Sequence, residues 1–531
     1  VRLLVKDGWH VEAEGKLYRQ PGEFKIEVTS GIDWFELHGK VEFGEMTASF
    51  PELLAALKRG DNTVVLDDGT FGLLPEEWLK KYGMLAGLGA AEGDSLRFTR
   101  SQVGLLDALL ASQPEASFDA TFARMRDELQ RFEGVKAVDP PAGFVGQLRG
   151  YQREGVGWLY FLQQFGFGGC LADDMGLGKT IEALALLESR RERRESNGPG
   201  GAARGQSNLS KAGKNGRKSR AGKKNGAGGA APPSLVVVPK SLVFNWEQEA
   251  ARFTPNLREL NHTGAERLKS CDHFYDHDLV ITTYGTLRRD AIQFKDFQFD
   301  YVILDEAQAI KNASTESSKA ARLLRGDHKL ALSGTPVENH LGELWSLFDF
   351  LNPGLLGAAS TFKMNGTAAR NPDEHTRGLL ARALKPFILR RTKEQVAKDL
   401  PPKLEQTIYC EMGSVQRKHY EELRDHYRRV LLGLVDKRGI NKAKIQILEA
   451  LLRLRQAACH PGLIDRRRFD EPCAKLDVLL PQLAEVSEEK HKALVFSQFT
   501  TLLGHLKPHL DASGVRYEYL DGSTRDRDER V

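Results

Sequence analysis

Four short apolar runs, Leu235–Val238, Leu279–Thr282, Tyr301–Leu304 and Lys329–Leu332, alternate with stretches of helical pattern. Each run is too short and too continuously apolar for a strand with one face in water. The pattern predicts buried parallel strands between helices, the grammar of an α/β fold. Residues 1–135 read differently. Strand-like runs at Phe24–Val28 and Trp34–Phe43 are punctuated by turn residues at Arg59-Gly60-Asp61-Asn62 and Asp67-Asp68-Gly69, and Pro75-Glu76-Glu77-Trp78 reads as a helix start. A small α+β module is expected there, with its aromatics in the core and no chemistry assigned. Asp139-Pro140-Pro141 marks a boundary. Residues 376–470 are expected to be mainly helical, with apolar residues at three- and four-residue spacing in Tyr420–Val435 and Ile445–Ala458. From Lys475 the α/β pattern returns, with strands expected at Ala493–Phe496 and Val515–Leu520 and a helix through Leu502, Leu503 and Leu506. The expected division is therefore 1–135, 140–355, 356–470 and 471–531.

Composition changes this picture little. At 531 residues, 41% hydrophobic and 28% charged, the chain has room for several cores and ordinary globular usage. No apolar stretch approaches the roughly 18 residues that span a bilayer, and the start does not read as a signal peptide, so a cytoplasmic protein without membrane attachment is expected. Val1 is not a methionine, which suggests a piece of a longer chain. Five scattered cysteines without a CxxC pair fit a reducing compartment and argue against a zinc site. The net charge of +4 is misleading. Residues 196–230 hold eight of the 76 basic residues and no acid, and without them the balance is 68 basic against 72 acidic. That glycine-rich segment, within a basic loop placed at 190–234, is expected to be a disordered tether. It is either simply solvated or a loose grip on phosphates.

The candidate chemistry begins at Ala172-Asp173-Asp174-Met175-Gly176-Leu177-Gly178-Lys179-Thr180, between a strand-like Cys170-Leu171-Ala172 and a helical Ile181–Leu187. Two glycines let backbone amides turn toward an anion, and the next helix offers its positive end to the same anion. Lys179 is then placed to neutralise the β- and γ-phosphates of a nucleotide, and Thr180 to bind magnesium. The strict phosphate-loop pattern has glycine where Asp173 stands. Asp305-Glu306-Ala307-Gln308 follows the apolar run Tyr301–Leu304 directly. That places Asp305 at the carboxyl end of a buried strand, where open α/β sheets bind ligands. Asp305 suits magnesium, held through water, and Glu306 suits orienting and deprotonating an attacking water. A helix cap is the plainer reading of such paired acids.

Taken together these residues resemble the SWI/SNF-type ATPases, the double-stranded DNA translocases of helicase superfamily 2, over roughly residues 145–531. Leu148-Arg149-Gly150-Tyr151-Gln152 with Gly157-Trp158-Leu159 is similar to the family's adenine-reading motif, which gives Gln152 the base. Residues 172–180 look like its variant phosphate loop, with Asp173, Asp174, Met175, Gly176, Leu177, Gly178, Lys179 and Thr180 around ATP, and Asp305–Asn312 like its acidic box. Val238–Leu242 with Asn245-Trp246, and Thr282-Thr283-Tyr284, resemble blocks that touch the DNA backbone, which implies contacts from Lys240, Ser241 and Thr283. Leu332–Asn339 is similar to the coupling motif, implying a relay through Ser333, Gly334 and Thr335, although Ser-Gly-Thr-Pro is also simply a good turn and cap. Leu389-Arg390-Arg391-Thr392-Lys393, Arg455–Pro461, Leu494–Phe499 and Leu520–Thr524 complete the ordered series. Arg390 and Arg391 either grip phosphate or pair with acids.

The resemblance implies a RecA-like phosphate-loop lobe, a truncated second RecA-like lobe, helical insertions and the N-terminal module, with ATP and Mg2+ as cofactors and no zinc. The implied function is an ATP-dependent double-stranded DNA translocase that remodels DNA-bound protein, nucleoid-associated in a bacterium. A bacterial member is expected, because no chromatin-reading module is recognised. Two other readings stand beside it: a strand-separating DNA or RNA helicase, and a nucleotide- and nucleic-acid-binding protein without effective turnover. The family's last arginine motifs would fall beyond Val531, and such arginines are worth about 10³–10⁵ in rate in related phosphoryl transfer. Weak hydrolysis by this chain alone is the expectation.

Overall fold

A computed structural model describes residues 11–13, 16–31, 34–59, 61–74, 89–110, 116–130, 136–197, 231–334, 341–357, 374–399, 401, 403–522 and 524. The chain divides into two compact units, residues 1–400 and 401–531. The helix start expected at Pro75 and most of the glycine-rich tether lie outside the described residues.

The N-terminal part of the first unit is α+β. Strands β1 (Val11–Ala13), β2 (Lys16–Arg19), β3 (Phe24–Ser30), β4 (Trp34–Phe43) and β5 (Met46–Ser49) lead into helix α1 (Phe50–Arg59). After them come β6 (Thr63–Val65), β7 (Phe71–Leu73), β8 (Ala90–Glu92), β9 (Ser95–Thr99), α2 (Val103–Leu110), β10 (Ala116–Phe118) and α3 (Ala120–Gln130). They form two sheets, ordered β1-β2-β7-β6 and β10-β3-β4-β9-β8, with β5 on β4. Alternation along β4 explains its place: Phe35, Leu37, Val41 and Phe43 are buried while their neighbours are not. The module is tied to the rest of its unit by Gln102, whose Nε2 donates to the Gly354 and Leu355 carbonyls at 3.0 and 3.3 Å.

The remainder of the unit is the expected α/β layer. In chain order it runs α4 (Gly150–Phe165), β11 (Gly169–Leu171), α5 (Lys179–Asn197), β12 (Ser234–Val238), α6 (Val243–Phe253), β13 (Glu259–Asn261), β14 (Leu279–Thr283), α7 (Tyr284–Phe294), β15 (Gln298–Leu304), α8 (Glu316–Leu323), β16 (Arg325–Leu332), α9 (Leu341–Leu351), α10 (Glu374–Leu384) and β17 (Ile388–Leu389). The seven strands stand in the order β13-β14-β12-β15-β16-β11-β17, and every pairing is parallel. All five residues of β12 and the last six of β15 are buried. That is why these runs are continuously apolar: helices cover both faces of a parallel sheet.

Two features depart from expectation. Residues 388–389, placed within a helical insertion by their surroundings, form β17 beside β11 and so belong to the sheet. In the second unit, α11 (Ser414–Arg438) and α12 (Ile440–Cys459) pack as a hairpin turning at Gly439, whose φ of +74° suits glycine. Helices Ala474–Glu488 and Thr500–Ala512 follow. Residues 493–496 and 515–520 run without strand pairing, and Leu494 and Phe496 are 85% and 87% exposed. An apolar strand is buried only where neighbouring strands take its backbone bonds, and no strand pairs with these segments among the described residues. No described helix is long and apolar enough to cross a membrane.

Candidate active site

The carboxyl edge of the parallel sheet carries the candidate residues because each follows a strand end. After β11, the loop 172–178 turns through Gly176 and Gly178 at φ +84° and +87° and opens into α5 at Lys179. Lys179 Nζ donates to the Asp173 carbonyl at 2.7 Å and the Asp174 carbonyl at 3.4 Å, curled over its own loop. Gln152 is buried and steadies the loop from α4. Its Oε1 accepts the Arg149 amide at 2.9 Å and its Nε2 donates to the Leu177 carbonyl at 3.0 Å, beside the Tyr151 hydroxyl on the same oxygen. A methyl group at position 178 would stand 2.4 Å from Gln152 Nε2, so glycine is needed there for space as well as for φ.

Asp173, at the place where a strict loop has glycine, does not face the loop's interior. Its carboxylate accepts the Arg391 backbone amide at 2.9 Å and the guanidinium Nε and Nη2. Arg391 also reaches Glu182 at 2.8 Å and the Tyr151 carbonyl. The backbones are joined too: Ala172 N donates to Leu389 O at 2.7 Å, Asp174 N to Arg391 O at 3.1 Å, and Lys393 N to Asp174 Oδ2 at 3.0 Å. Burial lifts Glu182 well above the usual carboxylate range, against the pull of Arg391. Of the two readings for Arg391, pairing with acids is the one realised. It is 8% exposed, and its role as a nucleic-acid contact is corrected: a phosphate cannot reach a guanidinium walled in by two carboxylates. Arg390, one residue away, points outward and is exposed.

At the end of β15, Asp305 is buried. Trp246 Nε1 donates to its Oδ2 at 2.8 Å, the Glu306 amide to its Oδ1 at 2.8 Å, and the Tyr284 hydroxyl to its carbonyl at 2.7 Å. Burial raises the Asp305 carboxyl above its ordinary range, while Trp246 and the nearby Lys179 ammonium oppose the shift. Glu306 occupies the left-handed region at φ +48°, a strained place for a residue other than glycine that costs of order 1–3 kcal/mol. It stands at the N-cap of the turn Ala307–Ile310 yet makes no capping bond with its side chain, so the helix-cap reading fails for it. Its Oε2 instead accepts Gln308 Nε2 at 2.6 Å, and Gln308 Oε1 accepts the Ser333 hydroxyl at 3.1 Å. Ser333 is thus joined to Glu306 by hydrogen bonds that run through Gln308. Gly334 lies against Met175 of the phosphate loop, and Thr335 falls outside the described residues.

Trp246 and Tyr284, read from sequence as parts of backbone-touching blocks, are both turned inward onto Asp305. No local pattern marks them for this, because the partner is 59 residues away for one and 21 for the other. Lys240 and Ser241 are exposed just beyond β12. Thr283 ends β14 and caps α7, its hydroxyl accepting the Thr286 amide at 3.2 Å. The strand order sets β12 and β14 on one side of β15 and the phosphate-loop strand on the other. Among the described residues no cluster of three or more His, Cys, Asp or Glu is spaced to hold a metal ion. His460 Nδ1 accepts the Gly462 amide at 2.9 Å, and Cys473 Sγ donates to the Cys459 carbonyl.

Residues 151–463 match the SNF2-related domain. A Bacillus subtilis (strain 168) protein, YwqA, provisionally named an ATP-dependent helicase/translocase, is 35% identical over 72% of this chain and 38% of its own. An otherwise uncharacterised ATP-dependent helicase of Mycoplasma pneumoniae is 34% identical over 71% of this chain and 33% of its own. The chain therefore spans about a third of the length of these curated relatives. A solved Sulfolobus solfataricus SWI2/SNF2 ATPase core in complex with double-stranded DNA is 32% identical, covering 71% of this chain and 72% of that one with a TM-score of 0.42. With the phosphate loop, the acid box and the strand order as described, the chain belongs to the SNF2-related family of ATP-dependent helicases and translocases.

Proposed function

We propose that this chain carries the ATP-hydrolysing motor of a double-stranded DNA translocase that displaces or remodels DNA-bound protein. The supporting observation is convergence on one sheet edge. The Lys179 loop, the buried Asp305 and the Glu306–Gln308–Ser333 chain lie at one end of the same parallel strands that expose Lys240 and Ser241.

The residues fit ATP and magnesium. Two positive-φ glycines give a loop that can turn amides toward phosphate, and Lys179 now satisfies its ammonium on carbonyl oxygens that a phosphate can replace. Asp305, raised by burial, is a carboxylate whose charge a cation would favour. Thr180 and Asp305 would hold magnesium, which takes few protein ligands and keeps several waters. Bound magnesium neutralises charge developing on the transferred phosphoryl. Gln152, Asp174, Met175 and Leu177 line the nucleotide's place, with Asp173 holding the loop from behind. Glu306 holds and deprotonates the attacking water, and Ser333 and Gln308 report its state to the next strand. Lys240, Ser241, Thr283 and Arg390 supply phosphate contacts, which position a duplex without reading its sequence and weaken steeply with salt.

In the intact protein, Lys179→Ala is expected to lower double-stranded-DNA-stimulated phosphate release by at least about a hundredfold, on the scale of a lost electrostatic clamp. Parallel assays with duplex DNA, single-stranded DNA and RNA check the polymer; stimulation by RNA alone would overturn the assignment. The relatives' helicase names favour strand separation as a second reading, and release of a strand from a forked duplex would establish it.

Gly178→Ala should weaken nucleotide binding by roughly tenfold or more. The clash with Gln152 and the left-handed φ together cost about 1.4 kcal/mol or more, which is tenfold in affinity. Titration with a fluorescent ATP analogue checks it, with circular dichroism unchanged.

A further inference from the structure

Helix α6 follows the exposed Lys240-Ser241 turn and carries Trp246 and Glu249 one turn apart on a shared face. Trp246 is committed to Asp305. Glu249 lies beside the Thr180 hydroxyl and near Asp305; burial, the largest influence, raises its carboxyl, while Thr180 favours the charged form. Its Oε2 is fully buried and has no hydrogen-bond partner among the described residues. The neighbouring acid Glu247 behaves differently, accepting Asn261 Nδ2 at 2.7 Å on an exposed face. Both side chains are half-buried, but Glu249 turns one oxygen fully inward. Its Oε2 is a buried acceptor with spare capacity, on a side chain beside Thr180 and within electrostatic reach of Asp305. Buried acceptors left without partners are rare and costly, and call for a reason.

We propose that Glu249 is a positioning residue of the magnesium site, accepting a hydrogen bond from the Thr180 hydroxyl and offering Oε2 to an ion-bound water. This rests on the reading of Thr180 and Asp305 as the magnesium ligands. A hydroxyl has one proton and two lone pairs. Donating the proton in a hydrogen bond to Glu249 turns the lone pairs away from it and toward the cation, as outer-shell partners do in other metal sites. With Trp246 fixing Asp305, one face of α6 sets both magnesium ligands. The same helix begins just beyond the candidate phosphate contacts Lys240 and Ser241.

The test is a magnesium titration of ATP-analogue binding to the intact protein, beside binding in excess chelator. Glu249→Leu is expected to raise the magnesium concentration for half-maximal effect by about 10–100-fold, with Glu249→Gln smaller in the same direction. Affinity without magnesium should stay within about twofold, and the denaturation midpoint should not fall, because an unpaired buried acceptor has been removed. In a Thr180→Val background, Glu249→Leu should add nothing, the mark of two groups acting as one. An unchanged magnesium titration, equal losses with and without the ion, or additive effects would overturn the proposal. Parent protein that binds no nucleotide in either condition would sink the ATP-site reading itself, and this proposal with it.

Discussion

Arg391→Met is expected to remove about 3–5 kcal/mol of folding stability, read as a lower denaturant midpoint at unchanged slope. The size follows from what would be left behind. Asp173 and Glu182 are both 0% exposed, and Arg391 is the guanidinium that serves them together. Removing it leaves the buried Asp173 and Glu182 side chains without their shared donor in an apolar interior, far worse than removing the whole set. The triple variant Asp173→Asn, Glu182→Gln, Arg391→Met should therefore recover most of the loss, since no uncompensated charge remains. Nucleotide affinity should fall in the single variant even where it is folded. The strand-end bonds from Ala172 and Asp174 to residues 389–391 give the phosphate loop its back wall. A midpoint shift of only a few tenths of a molar in urea would mean that the ion pairs are replaceable by water and that the loop stands on its glycines alone.

This also shows what the sequence could and could not disclose. The central strands were legible because burial on both faces demands unbroken apolar runs, and Leu235–Val238 and Tyr301–Leu304 become β12 and the end of β15. The glycines and Lys179 were legible because their chemistry is local: turn, cradle and ammonium lie within four residues. Arg391 was ambiguous because its partners are 218 and 209 residues away, and nothing in Leu-Arg-Arg-Thr-Lys separates the buried arginine from the exposed one. Alternation is the signal that could have helped, since Ile388–Leu389 is a strand and its side chains must alternate. But a two-residue strand is too short to announce itself. Trp246 was placed near the right motif with the wrong direction, because period and composition say that a helix face is buried and not against what. Residues 493–496 and 515–520 were read as strands from their apolar residues and form none, because pairing is a property of neighbours rather than of the segment itself.

Glu306→Gln in the intact protein is expected to lower steady-state ATP hydrolysis by about 10²–10⁴ while ATP affinity changes by no more than about threefold. The glutamine amide can occupy the same volume and still meet Gln308 Nε2, so the strained φ of +48° and the link to Ser333 can persist. What it cannot do is take a proton from water. Binding depends on Lys179, the loop glycines and Asp305, none of which the substitution touches, so the loss should fall on kcat and leave nucleotide titration alone. Ser333→Ala separates the relay from the base. It breaks the link at Gln308 without removing the carboxylate, so basal hydrolysis should survive better than DNA stimulation. If Glu306→Gln hydrolysed ATP at the parent rate, proton transfer would have to be assigned to another group. Asp305 is poorly placed for that, since its carboxylate is held by Trp246 and the Glu306 amide and is assigned to magnesium.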